Sequence, residues 1–143
     1  MHSRADTGQV ERIALSIAEA AERTGLTPDT LRYYEKGGLM LRDVPRGSSG
    51  HRQYGEHEMR WIHLITKLRS TGMPIRDVRR YADLVRAGDG NEQERLDLLR
   101  DHRARVLVQL AEVQEHLGAI DRKIGIYTDA VEQRLDLERA PGS

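Results

Sequence analysis

The most chemically informative stretch of the chain is "TLRYYE", which begins at Thr30. It places Arg32 beside Tyr33 in a chain that has no Phe and a single Trp. Guanidinium and phenol groups hydrogen-bond to phosphate oxygens and to base edges. If Leu31 and Tyr34 form the buried face of a helix, Arg32 and Tyr33 point outward, toward nucleic acid or simply toward solvent. The outward side chains that we interpret as candidate DNA contacts are Thr27, Arg32, Tyr33 and Lys36.

A second group of cations lies in "RDVPRGSSGHRQYGEHE", which begins at Arg42. The Gly-Ser-Ser-Gly centre between two short arms predicts the tip of a hairpin. Because guanidinium groups bind phosphate oxygens bidentately, arginines along such a hairpin predict phosphate contacts. An ordinary solvated loop would explain the glycines but not the arginines. The candidates here are Arg42, Arg46, His51 and Arg52, and the stretch continues to Tyr54. We expect no metal site at His51, because no further ligands stand at suitable spacing.

Two short helices and a tight turn would position the first group. The stretch "SIAE" at Ser16 matches a capping box and predicts a helix over 17–24 that Gly25 ends. In "LTPDT", Thr27 is a candidate N-cap followed by Pro28, which predicts a second helix as far as Lys36. A short turn with Gly at its start is typical of a helix-turn-helix, although an ordinary helical corner has the same spacing.

Two further helices are predicted, from Glu56 to Thr71 and from Ile75 to Ala87, with Trp61 in the core. We therefore predict a winged helix-turn-helix domain with an added helix pair over residues 12–88, preceded by a flexible N-terminus over 1–11.

The clearest periodic signal is an apolar heptad seam in the last third of the chain. Its members are Val106, Leu110, Val113, Leu117, Ile120, Ile124, Tyr127 and Val131. A helix of this length cannot bury its seam on a small domain, whereas a second copy of the chain can cover all of it. A helix that folds back on its own domain would use only part of the seam. We predict a dimerisation helix over 89–135 and a flexible tail over 136–143.

Composition excludes several classes of function. The 143 residues are 32% charged and contain no Cys, which removes disulfides, thiolate metal ligands and thiol sensing. No stretch has the character of a signal peptide or a membrane span, so we expect a soluble, cytoplasmic protein. Residues 1–87 hold 15 Lys and Arg against 11 Asp and Glu, and residues 88–143 hold 8 against 12. A basic part followed by an acidic part is typical of a nucleic-acid module joined to an assembly element. No nucleophile motif or phosphate loop is present, and we expect neither an enzyme nor a cofactor.

The order of these motifs resembles the MerR family of bacterial transcription regulators over about residues 12–132. The specific pieces are "LRYYE" followed by "GL", then "GHRQY", then "KLRSTGM". The resemblance implies a mainly α fold, with a winged helix-turn-helix domain on an antiparallel coiled-coil dimer. It also implies DNA contacts at the matching positions, which are Thr27, Arg32, Tyr33, Lys36, Arg46, Arg52, Tyr54 and Lys67.

What the resemblance implies about function is a homodimer that binds an inverted repeat in promoter DNA. The dimer would distort that DNA so that RNA polymerase engages the promoter in response to an effector. Two features depart from the family pattern. His51 stands where the wing commonly has Tyr, and the cysteines of metal-sensing and thiol-sensing members are absent. The tail is also too short for a drug-binding domain, so the sequence leaves a small-molecule effector unidentified.

The alternative is a coiled-coil adaptor that binds another protein rather than DNA. It accounts for the heptads equally well but leaves Arg32, Tyr33, Arg46 and Arg52 without a task. If Arg52 contacts phosphate, Arg52→Ala should weaken binding to every DNA sequence.

Overall fold

The computed structural model describes residues 14–141. The described chain is mainly helical, and its extended pairings are two isolated antiparallel bridges, Leu15 with Tyr54 and Arg46 with Arg52. The helices are α1 (Ile17–Thr24), α2 (Pro28–Lys36), α3 (Glu56–Ser70), α4 (Ile75–Arg86) and α5 (Glu92–Arg139). The N-terminus predicted to be flexible, residues 1–11, lies outside the described part. Among residues 14–141, no helix is both long and apolar enough to cross a membrane.

Local capping chemistry explains the first two helices, as predicted. The Ser16 side chain accepts from the backbone N–H of Glu19 while the Glu19 carboxylate accepts from the N–H of Ser16. Gly25 ends α1 in the left-handed region, with φ 74°. Thr27 caps α2 by accepting from the N–H of Thr30 at 3.1 Å, and Pro28 takes the first helical position. The turn between the two helices is therefore a helix-turn-helix.

A single hydrophobic core contains residues from all four of the helices α1, α2, α3 and α4. Leu31 and Tyr34 are both buried, as their spacing on α2 predicts. Trp61 is also in the core, where its indole N–H donates to the carbonyl of Leu39 at 2.7 Å and its ring stacks on Tyr81. The helix pair matches the prediction, except that α3 and α4 each end one residue earlier than expected.

The last helix is longer than predicted. It continues to Arg139, so residues 136–139 of the predicted flexible tail are helical, and residues 142–143 lie outside the described part. The first compact unit of the chain ends at His102, not at residue 88. Leu98 and Leu99, on the first turns of α5, are partly buried against the core. The second compact unit begins at Arg103 and is helical to Arg139.

Candidate DNA-binding surface

The outer face of α2 presents polar and aromatic groups, because its opposite face is fixed in the core. The Tyr33 side chain is 48% exposed, and Lys36 is exposed at the last helical position. Arg32 is about half-buried, and its Nη1 lies 2.8 Å from the carboxylate of Asp29. The Thr27 hydroxyl serves the helix cap and also lies 2.9 Å from that of Thr30. Tyr33, Arg32 and Lys36 are thus accessible to a ligand.

The segment between α2 and α3 forms a short ribbon, which we call the wing (residues 44–53). The backbones of Arg46 and Arg52 bridge, and hydrogen bonds join the N–H of Gly47 to the carbonyl of His51 at 2.9 Å and the N–H of Gln53 to that of Pro45 at 2.7 Å. The turn at the tip closes through the N–H of Gly50, which has φ 84° and donates to the carbonyl of Gly47. The predicted hairpin is therefore present as bridges without regular strands within the described residues.

Two of the predicted DNA-contact side chains on the wing point outward. Arg46 and His51 are both exposed. Arg46 Nη1 donates to the carbonyl of Gly50 at 2.9 Å, which holds the guanidinium at the turn. A cation fixed at the tip of a protruding ribbon is well placed for a phosphate oxygen.

The other wing arginine is turned inward, which sequence reasoning missed. Arg52 Nε donates to the Glu35 carboxylate at 2.6 Å, and the two side chains are only 17% and 12% exposed. The second Glu35 oxygen accepts from the backbone N–H of Val44 at 2.6 Å. Burial alone would raise the pKa of Glu35, but the hydrogen bonds from Arg52 and Val44 and the positive charges of Arg52 and Arg46 outweigh it and lower the pKa.

The prediction that Tyr54 contacts DNA is wrong for this structure. Its side chain is completely buried, and its backbone pairs with Leu15 in both directions at 2.7 Å. Within residues 14–141, its hydroxyl has no hydrogen-bond partner. A phenol with no exposed surface cannot reach a phosphate. Burial, as the largest effect, raises the pKa of Tyr54.

Two arginines of α4 hold the end of α2 in place, and no local pattern in the sequence predicts either contact. Arg79 Nε donates to the carbonyl of Gly37 at 2.8 Å, and Arg86 Nη1 donates to that of Gly38 at 3.0 Å. Lys67, the candidate on α3, is exposed in the last turn of that helix.

The seam of the second unit is uncovered in the single chain. Apart from the half-buried Val106, its members are between 49% and 66% exposed: Leu110, Val113, Leu117, Ile120, Ile124, Tyr127 and Val131.

A cavity of about 330 Å³ opens beside Trp61. Its walls are mainly apolar, and the ion pair between Arg42 and Glu58, 3.1 Å long, is part of its lining. The remaining lining residues are Met40, Leu41 and His57.

Comparison with known proteins agrees with this architecture. Residues 15–84 match the MerR HTH family regulatory protein model, and residues 59–123 match the model for the MerR DNA-binding region. An uncharacterized HTH-type transcriptional regulator of Haemophilus influenzae is 35% identical over 115 residues, which cover 80% of this chain and 84% of that protein. The HTH-type transcriptional regulator AdhR of Bacillus subtilis is 39% identical over 93 residues, covering 65% of this chain and 66% of AdhR.

Solved structures give the same result. A MerR family transcriptional regulator from Listeria monocytogenes superposes with a TM-score of 0.72 at 32% identity, covering 88% of this chain and 99% of that one. HiNmlR, a MerR family regulator lacking the sensor domain and bound to promoter DNA, superposes with a TM-score of 0.73 at 34% identity, covering 83% and 94%. The fold and surface define a DNA-binding transcription regulator rather than an enzyme. The chain belongs to the MerR family.

Proposed function

We propose that the chain acts in the cytoplasm as a homodimer that binds an inverted repeat within a promoter. The observation that carries this proposal is the presence, in one compact unit, of the half-buried Arg32 and the exposed Tyr33 and Lys36 on the outer face of α2, together with the exposed Arg46 and His51 on the wing. A helix for the major groove beside a cationic ribbon for the phosphate backbone is the arrangement that a winged helix-turn-helix uses. The promoter-bound structure of HiNmlR supports the same reading.

The contacts divide by chemistry. Arg32 and Tyr33 on the outer face of α2 reach for base edges, and Lys36 for base edges or phosphate. Arg46 and His51 bind phosphate from the wing. Thr27, at the positive end of α2, and Lys67 on α3 complete the proposed set of DNA contacts.

The dimer forms through the heptad seam. Each exposed seam residue gains roughly 1.5–3 kcal/mol on full burial, so a partner helix stabilises the assembly strongly. If two copies of α5 pack antiparallel, as in the family fold, the two-fold axis of the pair passes between Gly118 and Ala119. The layers that follow, each pairing one residue with one of the partner, are Val106 with Val131, Leu110 with Tyr127, Val113 with Ile124, and Leu117 with Ile120.

Neighbouring registers are poorer. A slip of one heptad toward the N-terminus sets Arg103 against the partner's Tyr127. A slip the other way sets Arg134 and Glu138 into the seam opposite Leu110 and Val106. Each slip replaces apolar layers with buried charge, which costs free energy.

A chain without cysteine allows a direct test of this register. In the antiparallel dimer, Val106 and Val131 of one chain lie roughly 37 Å apart along the helix, yet each faces the other residue in the partner. A short bismaleimide should therefore link the double variant Val106→Cys/Val131→Cys into a covalent dimer and leave each single variant uncoupled. A parallel dimer would couple both single variants, and a monomer would couple none.

A dimer with two-fold symmetry binds DNA with two-fold symmetry, so the operator is an inverted repeat. We propose that transcription changes because the bound dimer deforms the promoter for RNA polymerase, with an effector shifting that deformation.

Selection of random duplex DNA on the purified protein tests the proposal. Enrichment of one inverted repeat, with binding that weakens steeply as salt rises, is the expected result. A stable dimer that enriches nothing at low salt would favour the adaptor instead, and the α2 face would then be a protein-binding surface.

We propose that the effector binds in the cavity beside Trp61. Because Trp61 is the single tryptophan of the chain, its fluorescence reports ligands there without labelling. A library of small apolar compounds should contain some that change Trp61 emission saturably, and these should also change operator affinity. Compounds that alter operator affinity without changing the emission would place the effector elsewhere.

A further inference from the structure

A single carboxylate, that of Glu35, joins α2 to both arms of the wing. We call α2 the recognition helix, because it carries the proposed base contacts. Glu35 is the penultimate residue of α2, and its two oxygens accept from Arg52 Nε and from the N–H of Val44, each at 2.6 Å. Val44 begins the first arm and Arg52 lies on the second. Both side chains of the ion pair are mostly buried, so water competes weakly for these bonds.

Core packing holds the two ends of the wing, where Val44 and the following Tyr54 are buried. Its internal backbone hydrogen bonds, between Gly47 and His51 and between Gln53 and Pro45, hold the ribbon together but do not connect it to α2. At its far end, the wing leads into Tyr54, which pairs with Leu15. Glu35 supplies the bonds that connect the base of the ribbon to α2 itself.

We propose that Glu35 and Arg52 are positioning residues for DNA binding, which hold the wing at a fixed angle to the recognition helix. Arg52 acts through Glu35, and it is not an independent phosphate contact. This inference rests on the proposed DNA binding, because it concerns how the two DNA-contacting elements are held at a fixed angle to each other.

For the loss of the Glu35 charge, the proposal predicts a change in operator affinity opposite in sign to the change that charge repulsion alone predicts. A carboxylate near DNA repels phosphate, so removing its charge should strengthen binding if charge alone mattered. If Glu35 positions the wing, Glu35→Gln should instead weaken binding to the selected operator, because the helix and wing no longer meet their sites together. Asp43→Asn is the matched control, since it removes one exposed carboxylate next to Val44.

The experiment compares Glu35→Gln, Arg52→Gln, the double variant and Asp43→Asn on the selected inverted repeat and on a scrambled duplex, at several salt concentrations. We expect each of the first two to weaken operator binding about tenfold, which corresponds to about 1.4 kcal/mol. The double variant should lose no more than either single variant, because the two residues act as one unit. Asp43→Asn should bind as well as the parent protein or better.

Two readouts separate positioning from loss of fold. Amide hydrogen exchange should accelerate in residues 44–53 of Glu35→Gln, while α1 and α3 keep the parent rates. The melting temperature checks that each variant is folded under the binding conditions. If an amide variant is unfolded there, Arg52→Lys, which keeps the positive charge but not the Nε geometry, supplies the same comparison.

Several results would overturn the proposal. One is operator binding by Glu35→Gln that equals or exceeds that of the parent protein. Another is an additive loss in the double variant, with Arg52→Gln lowering the log–log salt slope by about one, since this is what an independent phosphate contact gives. If the parent protein enriches no DNA at all, the proposed function itself fails, and that outcome is seen before any variant is made.

Discussion

Arg79 of α4 donates its Nε–H to the carbonyl of Gly37, the C-cap of the recognition helix, at 2.8 Å. The bond spans 42 residues of sequence, and it satisfies a carbonyl that the helix itself leaves without a partner. A cation at a helix C-terminus also interacts favourably with the helix dipole. The helix pair that follows the wing thus helps to fix the end of α2, which carries Lys36.

We therefore expect Arg79→Ala to lower the free energy of unfolding by about 1–3 kcal/mol, because a partly buried carbonyl loses its charged donor. Urea denaturation measures the change. Arg80→Ala is the control, since Arg80 lies 3.7 Å from Glu94 in an exposed pair, and it should change stability by less than about 1 kcal/mol. Equal losses for the two variants would mean that the Gly37 contact does not matter.

Tyr54→Phe should leave DNA affinity unchanged and leave stability unchanged or improved. The buried hydroxyl has no hydrogen-bond partner, so removing it discards an unsatisfied polar group and keeps the packed ring. Operator titration and urea denaturation of the same preparation check both expectations. Weaker operator binding at unchanged stability would restore Tyr54 as a DNA contact.

The sequence predicted contacts between residues that lie close together along the chain, and it did not predict contacts between residues far apart along the chain. Capping signals at Ser16 and Thr27 predicted α1 and α2 because both partners of each bond lie within three residues. The ion pair of Arg52 with Glu35 was not predicted, because Glu35 lies 17 residues earlier in the chain. The burial of Tyr54 likewise follows from its pairing with Leu15, which no local pattern reveals.

Breaker residues stand at the ends of both α1 and α5, but only the end of α1 was predicted correctly. Gly25 stops α1 as expected, because few residues other than Gly adopt its positive φ easily. Pro141 and Gly142 follow the end of α5 at Arg139, so our prediction of an end at Leu135 overlooked a stop signal that the sequence contains. Periodicity alone predicted the seam of α5, whose residues from Leu110 to Val131 are exposed in the single chain, and its role in a dimer stays a prediction.

Acid should destabilise the protein partly through Glu35. Its pKa in the folded state is lowered below the ordinary value of 4.5. The stabilisation from its ionised form is therefore complete above pH 4.5 and is lost as pH falls through the folded-state pKa. Urea midpoints measured from neutral pH downward should fall less steeply below pH 4.5 in Glu35→Gln than in the parent protein. The pKa values of Glu19 and Glu92 are also lowered, so the urea midpoint of Glu35→Gln should still fall somewhat as the pH drops. Identical profiles would show that Glu35 gains nothing from its ion pair.

Arg32→Ala should weaken binding to the selected operator by about 1–3 kcal/mol and relax selectivity at one position of each half-site. The reason is that Arg32 lies on the outer face of α2, where a guanidinium meets base edges. Repeating the duplex selection with the variant identifies the position. Arg60→Ala on α3, which removes another exposed cation, should preserve the selected sequence. A uniform loss on all duplexes would make Arg32 a phosphate contact instead.

Leu117→Glu should convert the dimer to a monomer, because it sets a carboxylate into the central layer of the proposed seam opposite the partner's Ile120. Sedimentation velocity measures the mass, and Ala111→Glu, exposed and off the seam, should remain dimeric. The first compact unit ends at His102, so the monomer should keep a folded DNA-binding unit and recognise a single half-site. Its operator affinity should then fall sharply, since the second half-site no longer binds as part of the same molecule. A dimer that survives Leu117→Glu would exclude the seam as the interface, and the exposed apolar face of α5 would then need a different partner.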